Sequence, residues 1–561
     1  MTLASHPGLW LIAAAALLAL LKGRPRTVVA LAAPLAALAL AWRLEAGVHV
    51  RMGFLEMDLA PFAVDALSRL FAVIFSLMAF AGALFALNQA RRLELSAAFL
   101  YSGAAIGVAL AGDLVTVFVY WEVMAIGSTL VLWSAATPAA YRASMRYLMV
   151  HLFGGMLLLA GVAAQVAETG TTAFHPMSLD GPAQALILAA FLVNAGAWPL
   201  SAWLPDAYPE ASWSGMVFLS AFTTKTAVYV LLRGFPGTEL LIYAGLIMVF
   251  YGIIYALLEN DMRRILAYSI VNQVGFMVTG IGIGTEMALN GAAAHAFTHI
   301  LYKALLLMSA GSVLLMTGRR KCTDLGGLFR TMPLTAACGI VGALAISSFP
   351  LTSGFVSKSM VTQAAGDEHL FVVWMLLAAA SAGVFLHAGI KFPWFVFFQK
   401  DSGLRPPEPP WNMRAAMLLL AALCIGLGVF YEPLYRLLPY PVDYAPYTGH
   451  HVVAQLQLLL FSGLAFFVML GWLRRTLTIT LDVDWLYRVL CPGIVAVLGA
   501  ALGRAMAATE ASAARACGGV GALARRLNGP QGPLARTWPA GAMGLGVMGM
   551  LLALLLSYYL L

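Results

Sequence analysis

Ala288-Leu-Asn-Gly-Ala-Ala-Ala-His295-Ala-Phe-Thr-His299-Ile-Leu-Tyr-Lys303-Ala-Leu-Leu-Leu-Met-Ser-Ala-Gly311 is the stretch on which the fold turns. Within residues 288–317 it is long and apolar enough to cross about 30 Å of hydrocarbon. Yet it carries two histidines and a lysine, spaced four and four, so all three lie on one helix face, a turn apart. An ionisable side chain at the bilayer centre costs at least ~2.5 kcal/mol and therefore faces a protein interior or water. A lysine near a helix end can instead snorkel to the interface. Lys303, however, has more than three turns of apolar or small residues beyond it before Gly318-Arg319-Arg320-Lys321.

The rest of the chain agrees with a membrane setting. Its 561 residues are 61% hydrophobic and 10% charged, with mean hydropathy +0.87, whereas soluble domains hold roughly 25% charged residues. This excludes a soluble enzyme domain and predicts an all-α polytopic membrane protein of about 14–16 spans. The net charge of +8 is no nucleic-acid signal, because the basic residues sit in short loops. Cys322, Cys338, Cys424, Cys491 and Cys517 are scattered, with no CxxC and no histidine pairing. Neither a disulfide framework nor a metal, iron–sulfur or other cofactor site is expected. The first apolar run lacks a positive leader and reads as a span, not a cleavable signal peptide.

Spans are expected near 8–22, 27–42, 62–88, 95–111, 113–135, 147–167, 182–200, 213–233, 239–258, 265–284, 288–317, 332–350, 370–398, 414–431, 453–473 and 541–561. Basic clusters at Lys22/Arg24/Arg26, Arg91/Arg92, Arg142/Arg146, Arg263/Arg264, Arg319/Arg320/Lys321 and Arg474/Arg475 all fall in odd-numbered loops. Even loops are poor in Lys and Arg, or mix Arg43 and Arg51 with Glu45, Glu56 and Asp58. The positive-inside rule then sets the N-terminus outside a bacterial inner membrane. Leu481-Asp-Val-Asp484-Trp485-Leu-Tyr487-Arg488 opens an Ala-rich region with Arg504, Arg515 and Arg526 eleven residues apart, hence on one face. Two readings stay open there: an amphipathic helix along the membrane or a partner, and a true span at 485–508.

Several polar residues stand where hydrocarbon is expected. Glu122 lies nine residues inside its span from Asp113, near mid-membrane. A carboxyl there is neutral or paired, which suits a proton relay. Lys225, in Phe222-Thr-Thr-Lys225-Thr, is also mid-span; whether it touches Glu122 is left open. His387 and Lys391 are four apart, with Pro393 expected to kink the helix beside them. His151 lies inside the sixth span, and Lys358 follows a Pro/Gly/Ser-rich break. Asp65 and Arg69, one turn apart, are expected to form a local ion pair. Helix breaks are expected at Trp198-Pro199-Leu-Ser201-Ala-Trp203-Leu-Pro205-Asp206 and at Ser347-Ser348-Phe349-Pro350-Leu-Thr352-Ser353-Gly354. Two such interruptions in matching positions suggest inverted repeats with sites at the midplane. The organisation read from this is 1–94, two five-helix halves at 95–233 and 239–398, core helices at 414–473, and a lateral helix with a final span at 476–561.

Five strings resemble one family: Phe118-Val-Tyr-Trp-Glu122-Val-Met, Pro199-Leu-Ser-Ala-Trp-Leu-Pro-Asp206-Ala, Asp261-Met-Arg-Arg-Ile-Leu-Ala-Tyr-Ser, His295-Ala-Phe-Thr-His299-Ile-Leu-Tyr-Lys303-Ala-Leu and Pro350-Leu-Thr-Ser-Gly-Phe. Over about 60–400 the chain is similar to the antiporter-like subunits shared by respiratory complex I and Mrp-type multisubunit Na⁺/H⁺ antiporters, nearest to the D-type members. The resemblance implies a fourteen-helix core with two inverted five-helix repeats. It also implies a mid-membrane proton line through Glu122, Lys225, His295, His299, Lys303 and, on the exit side, Lys391. His151, His387, Asn194, Arg263, Asp113 and Lys358 form a wider set. Two departures stand out. Asn194 occupies the position of the family's usual pairing lysine, and Arg263 stands where complex I members often have lysine; arginine stays charged and hardly relays a proton.

The function expected is a proton-translocating subunit of a multisubunit monovalent cation/proton antiporter, with no redox site of its own. Its partners would be other membrane subunits, the bilayer, H⁺ and either Na⁺ or K⁺. Alternatives are a proton-pumping subunit of a redox-driven complex, of the NADH:quinone oxidoreductase or membrane hydrogenase type, and a membrane energy-coupling partner of a soluble enzyme, as in inorganic-carbon uptake.

Overall fold

The computed structural model describes residues 2–55, 57–471, 482–535 and 537–560. Glu56 and the Arg474/Arg475 pair lie outside them. The chain is a multi-pass, all-α membrane protein. Among the described residues fourteen helices are long and apolar enough to cross a membrane, joined by two shorter apolar helices, Pro7–Leu20 and Pro333–Ile346. The chain divides into two units, Met1–Asp484 and Trp485–Leu561.

The first unit begins with α1 (Pro7–Leu20) and α2 (Gly23–Trp42), followed by an antiparallel hairpin of β1 (Gly47–Phe54) and β2 (Met57–Val64). Then come α3 (Ala66–Phe85), α4 (Arg92–Ala109), α5 (Leu114–Trp133), α6 (Pro138–Thr169), α7 (Pro182–Ala195), α8 (Trp203–Ala207), α9 (Gly215–Ala221) and α10 (Thr223–Gly234). The remaining helices are α11 (Leu240–Leu258), α12 (Met262–Ile283), α13 (Glu286–Thr317), α14 (Pro333–Ile346), α15 (Ser353–Asp367), α16 (Phe371–Val384), α17 (Trp411–Val429), α18 (Glu432–Tyr435) and α19 (Gly449–Val468). The second unit holds α20 (Cys491–Asn528) and α21 (Ala540–Leu560).

Helix ends follow local chemistry. Asp113, Thr137, Asp261 and Thr285 each accept a hydrogen bond from an early backbone N–H of the helix they precede. Gly284 and Gly318 close α12 and α13 in the left-handed region, at φ +80° and +66°. Between those caps α12 and the middle of α13 are enclosed on every side. Hydrocarbon offers no hydrophobic drive between helices, so close backbone packing has to supply it. Gly245 and Gly275 allow that on α11 and α12: a Cβ at Gly275 would stand 2.6 Å from the Gly245 carbonyl oxygen.

Several expectations are revised. The β hairpin has no counterpart among the expected elements. Its second strand is fixed to the α4–α5 turn, with Gly112 N donating to Ala60 O at 2.9 Å and Ala63 N to Leu110 O at 2.8 Å. The third span therefore begins at Ala66, not near 62, because Asp65 builds a capping box with Ser68. Asp65 pairs with Arg233 at 2.5 Å, not with Arg69, since the cap turns its carboxylate toward α10. The expected single span 213–233 is interrupted at Phe222. Beyond the break after Ile346 the chain does not simply end a span but continues as a further helix, α15. Beside His387 and Lys391 the helix widens into π-helical segments, Phe385–Lys391 and Trp394–Phe398, so the irregularity precedes Pro393. Residues 485–508 fall within one longer helix: α20 runs for 38 residues, about 57 Å at 1.5 Å per residue, and belongs to the fourteen helices apolar enough to cross a membrane.

Candidate functional site: a buried line of ionisable groups

The line starts on α5 and α6. Glu122 is half-buried, and its Oε1 lies directly over Gly155, where an added Cβ would stand 1.8 Å away. That oxygen is enclosed without a hydrogen-bond partner. One helical turn before Gly155 stands His151, 1% exposed. Its Nδ1 is 2.7 Å from Asn194 Oδ1 on α7. With the amide oxygen as acceptor, Nδ1 carries the proton and Nε2 is the basic nitrogen. Nε2 is buried and unpartnered. Asn194 thus makes no pair with Glu122 but sets the tautomer of a histidine beside it.

A run of hydroxyls leads from there to α10. Tyr147 donates to Ser128 Oγ at 2.9 Å and lies 3.3 Å from Thr223 Oγ1, which is 2.5 Å from the Tyr101 hydroxyl. The break at Phe222 frees a backbone N–H at Thr223, and Tyr101 accepts it at 2.8 Å. Across the same break Lys225, with no exposed surface, donates from Nζ to Ser220 O at 2.8 Å and Thr224 Oγ1 at 3.1 Å. Neither Lys225 nor Glu122 forms an ion pair among the described residues. Among the described residues, then, Glu122 and Lys225 do not pair with each other.

Lys225 instead faces α13. It is an electrostatic neighbour of His295, His299 and Lys303. His295, His299 and Lys303 are each fully buried, as their spacing required. His295 bridges two helices: Nε2 is 3.0 Å from Gln273 Oε1 on α12 and Nδ1 is 3.3 Å from Ser357 Oγ on α15. Both ring nitrogens of His299 are buried without partners, with Tyr302 edge-on at 5.2 Å. Lys303 donates to Ser269 Oγ on α12 at 2.8 Å.

Lys358, adjacent to Ser357, is 2% exposed, and its ammonium sits 4.1 Å from the ring centre of Phe276 with no hydrogen-bond partner. It lines a cavity of about 300 Å³ shared with Ser348, Ser381, His450, His451 and Gln455. Lys391 is held at the C-terminal end of α11, donating to the carbonyls of Ala256, Leu257 and Glu259 at 3.0, 2.6 and 2.5 Å. Those are the carbonyls a helix end leaves unsatisfied. His387 bonds back to Gly383 O at 2.8 Å through Nδ1, leaving Nε2 buried and unpartnered.

Two of the wider set have structural partners. Asp113 caps α5 and accepts from Thr116 N and Thr116 Oγ1 at 2.7 Å and from Ala60 N at 2.9 Å. Arg263 ties down the loop before α9, donating to Ala211 O at 2.8 Å and Ser212 O at 2.7 Å. Tyr101, Tyr147, Thr223, Gln273 and Ser269 are members of the site that the sequence reading does not single out. A signal for them exists: a buried amide or hydroxyl in a span asks what it bonds. Among the described residues no cluster of three or more His, Cys, Asp or Glu could hold a metal ion.

Residues 111–384 match the family described as NADH:quinone oxidoreductase/Mrp antiporter, transmembrane. The chain is also 31% identical over 366 residues to the D component of the Na⁺/H⁺ antiporter of Alkalihalophilus pseudofirmus, covering 60% of this chain and 72% of that one. The chain belongs to this family. The N component of the NADH-quinone oxidoreductase of Desulforudis audaxviator is 28% identical, with 59% and 72% covered. The fold agrees with the Mrp complex of Dietzia sp. DQ12-45-1b, at TM-score 0.65 and 22% identity over 83% of this chain and 95% of that one. It agrees likewise with an archaeal membrane-bound sulfane sulfur reductase, at TM-score 0.71 and 23% identity over 98% and 99%. The family match takes in Glu122, Lys225, His295, His299, Lys303 and Lys358 and ends before His387 and Lys391.

Proposed function

We propose that the protein is the proton-translocating membrane subunit of a multisubunit monovalent cation/proton antiporter of the bacterial inner membrane, with its N-terminus outside. The carrying observation is the row of enclosed basic groups: Lys225, His295, His299, Lys303, Lys358, His387 and Lys391 are each at most 4% exposed. No permanent structural role requires so many costly groups inside membrane-spanning helices. Protons pass from Glu122 through His151 and the hydroxyls of Tyr147 and Thr223 to Lys225, then along His299 and His295 to Lys303 and Lys391, with water bridging the gaps. Lys358 opens a branch toward its cavity. Na⁺ or K⁺ moves in exchange elsewhere in the assembly.

The likeness to the D component of a Na⁺/H⁺ antiporter supports this reading and makes other membrane subunits the partners. Glu122 lies between exposed apolar residues of α5, Val119 at 52% and Ile126 at 50%, which suits an edge covered by a neighbouring subunit. The interruptions after Ala195 and after Ile346 support two inverted halves, 95–233 and 239–398. The likeness to a component of an NADH-quinone oxidoreductase favours a second reading, a pumping subunit of a redox-driven complex using the same groups.

The test is cation-dependent proton flux in everted vesicles carrying the whole assembly. Glu122→Gln and Lys303→Ala should each abolish it at normal abundance. Unchanged flux in both variants overturns the relay.

A further inference from the structure

A groove of about 510 Å³ runs down the first unit between α2, α3, α13 and α17. Its walls are apolar, among them Leu38, Leu77, Leu423, Phe297 and Leu301. One charged residue lines it: Arg43, at the end of α2, beside Trp42. Arg43 is exposed, and among the described residues its guanidinium has no ion pair and no hydrogen-bond partner. From Arg43 to Leu35, also on the wall, the groove descends eight residues of helix, about 12 Å into the bilayer.

The geometry points to one acyl chain of an anionic phospholipid lodged in this groove, with its phosphate on Arg43. A fork of unpaired N–H donors at the membrane surface above a purely apolar slot is complementary to an amphiphile with one negative head. Trp42 at the mouth is the residue type that settles at headgroup level. Charge decides between occupants: an apolar transmembrane helix of a partner brings no anion to Arg43, whereas a phospholipid brings its phosphate.

The site bears on the buried line from behind. Phe297 and Leu301 flank His299 in sequence, two residues to either side, and point away from it into the groove. A chain lodged there packs directly on the back of the helix that carries His295, His299 and Lys303.

The test uses the intact assembly purified in mild detergent and loaded with phosphatidylglycerol or phosphatidylcholine, with bound lipids counted by native mass spectrometry. Wild type should retain one phosphatidylglycerol beyond the energy that strips the others. Arg43→Ala should lower that occupancy about tenfold and leave phosphatidylcholine unchanged. Ala39→Trp fills the slot at an exposed position, so folding is not at stake, and should abolish retention of both. Equal retention in wild type and Ala39→Trp overturns the proposal. So does a cysteine at Leu38 that crosslinks to a neighbouring subunit's helix, which would make the occupant protein.

Discussion

Glu122 and Gly155 touch so closely that a Cβ at the second position would stand 1.8 Å from the carboxyl oxygen, so the flexible end of Glu122 would have to move. The glycine is therefore a seat for the carboxylate. Gly155→Ala should push Glu122 out of its place beside His151 and lower proton flux at least tenfold, while abundance in the membrane holds. A Glu122→Asp change in the same background, shorter by one methylene, should restore part of the flux. Vesicle flux assays read both.

The hydroxyl run between His151 and Lys225 is open to a direct trial. Tyr147→Phe removes the hydroxyl bonded to Ser128 and near Thr223, and Thr223→Val removes the next. Each leaves shape nearly unchanged but strands a buried partner, a loss of about 1–3 kcal/mol. If these groups conduct, each change slows flux about tenfold, and the double variant is little worse than either, because one interrupted path cannot be cut twice. Fully additive losses would point to two separate packing defects.

The cavity at Lys358 predicts sidedness. With the N-terminus outside, as proposed, the loop before α19, which brings Tyr444 to the cavity wall, faces outward. Ser359→Cys, in a background with the exposed Cys491 and Cys517 changed to Ser, should react with a membrane-impermeant thiol reagent in intact cells. Labelling only in everted vesicles would reverse the orientation.

Asp65 carries a prediction about stability. Burial raises its pKa, but the Arg233 charge and the Ser68 amide outweigh this and hold it below the ordinary carboxylate value. A depressed folded pKa contributes stability that is present above the unfolded value of about 3.9 and is lost as pH falls through the folded one. Asp65→Ala should cost about 1 kcal/mol, chiefly from the lost helix cap, with little more from the half-exposed ion pair. Thermal-retention assays should show this gap at pH 7 and its closure at the acid end.

Much of this architecture is written locally. The four-and-four spacing on α13, the caps at Asp113, Asp261 and Thr285, and the proline-rich interruptions all depend on short-range rules. What stays hidden depends on partners distant in sequence. Phe222 breaks its helix with no proline near it, because Tyr101, some 120 residues earlier, accepts the freed N–H. Asp65 reaches Arg233 across 168 positions, which outcompetes the neighbour one turn away. In sequence Asn194 reads as a lost lysine, while its pairing with His151 needs the packing of α6 on α7.

The ammonium of Lys225 spans the gap in its own helix by grasping the Ser220 carbonyl. Charge-assisted hydrogen bonds are roughly twice as strong as neutral ones. Taking the proton from Lys225 therefore weakens the tie that holds α9 to α10 by about 1 kcal/mol. Occupancy and hinge stiffness at this point are linked quantities, as a latch and its bolt are. On the proposed route through Lys225, a proton arriving would tighten this joint and one leaving would loosen it.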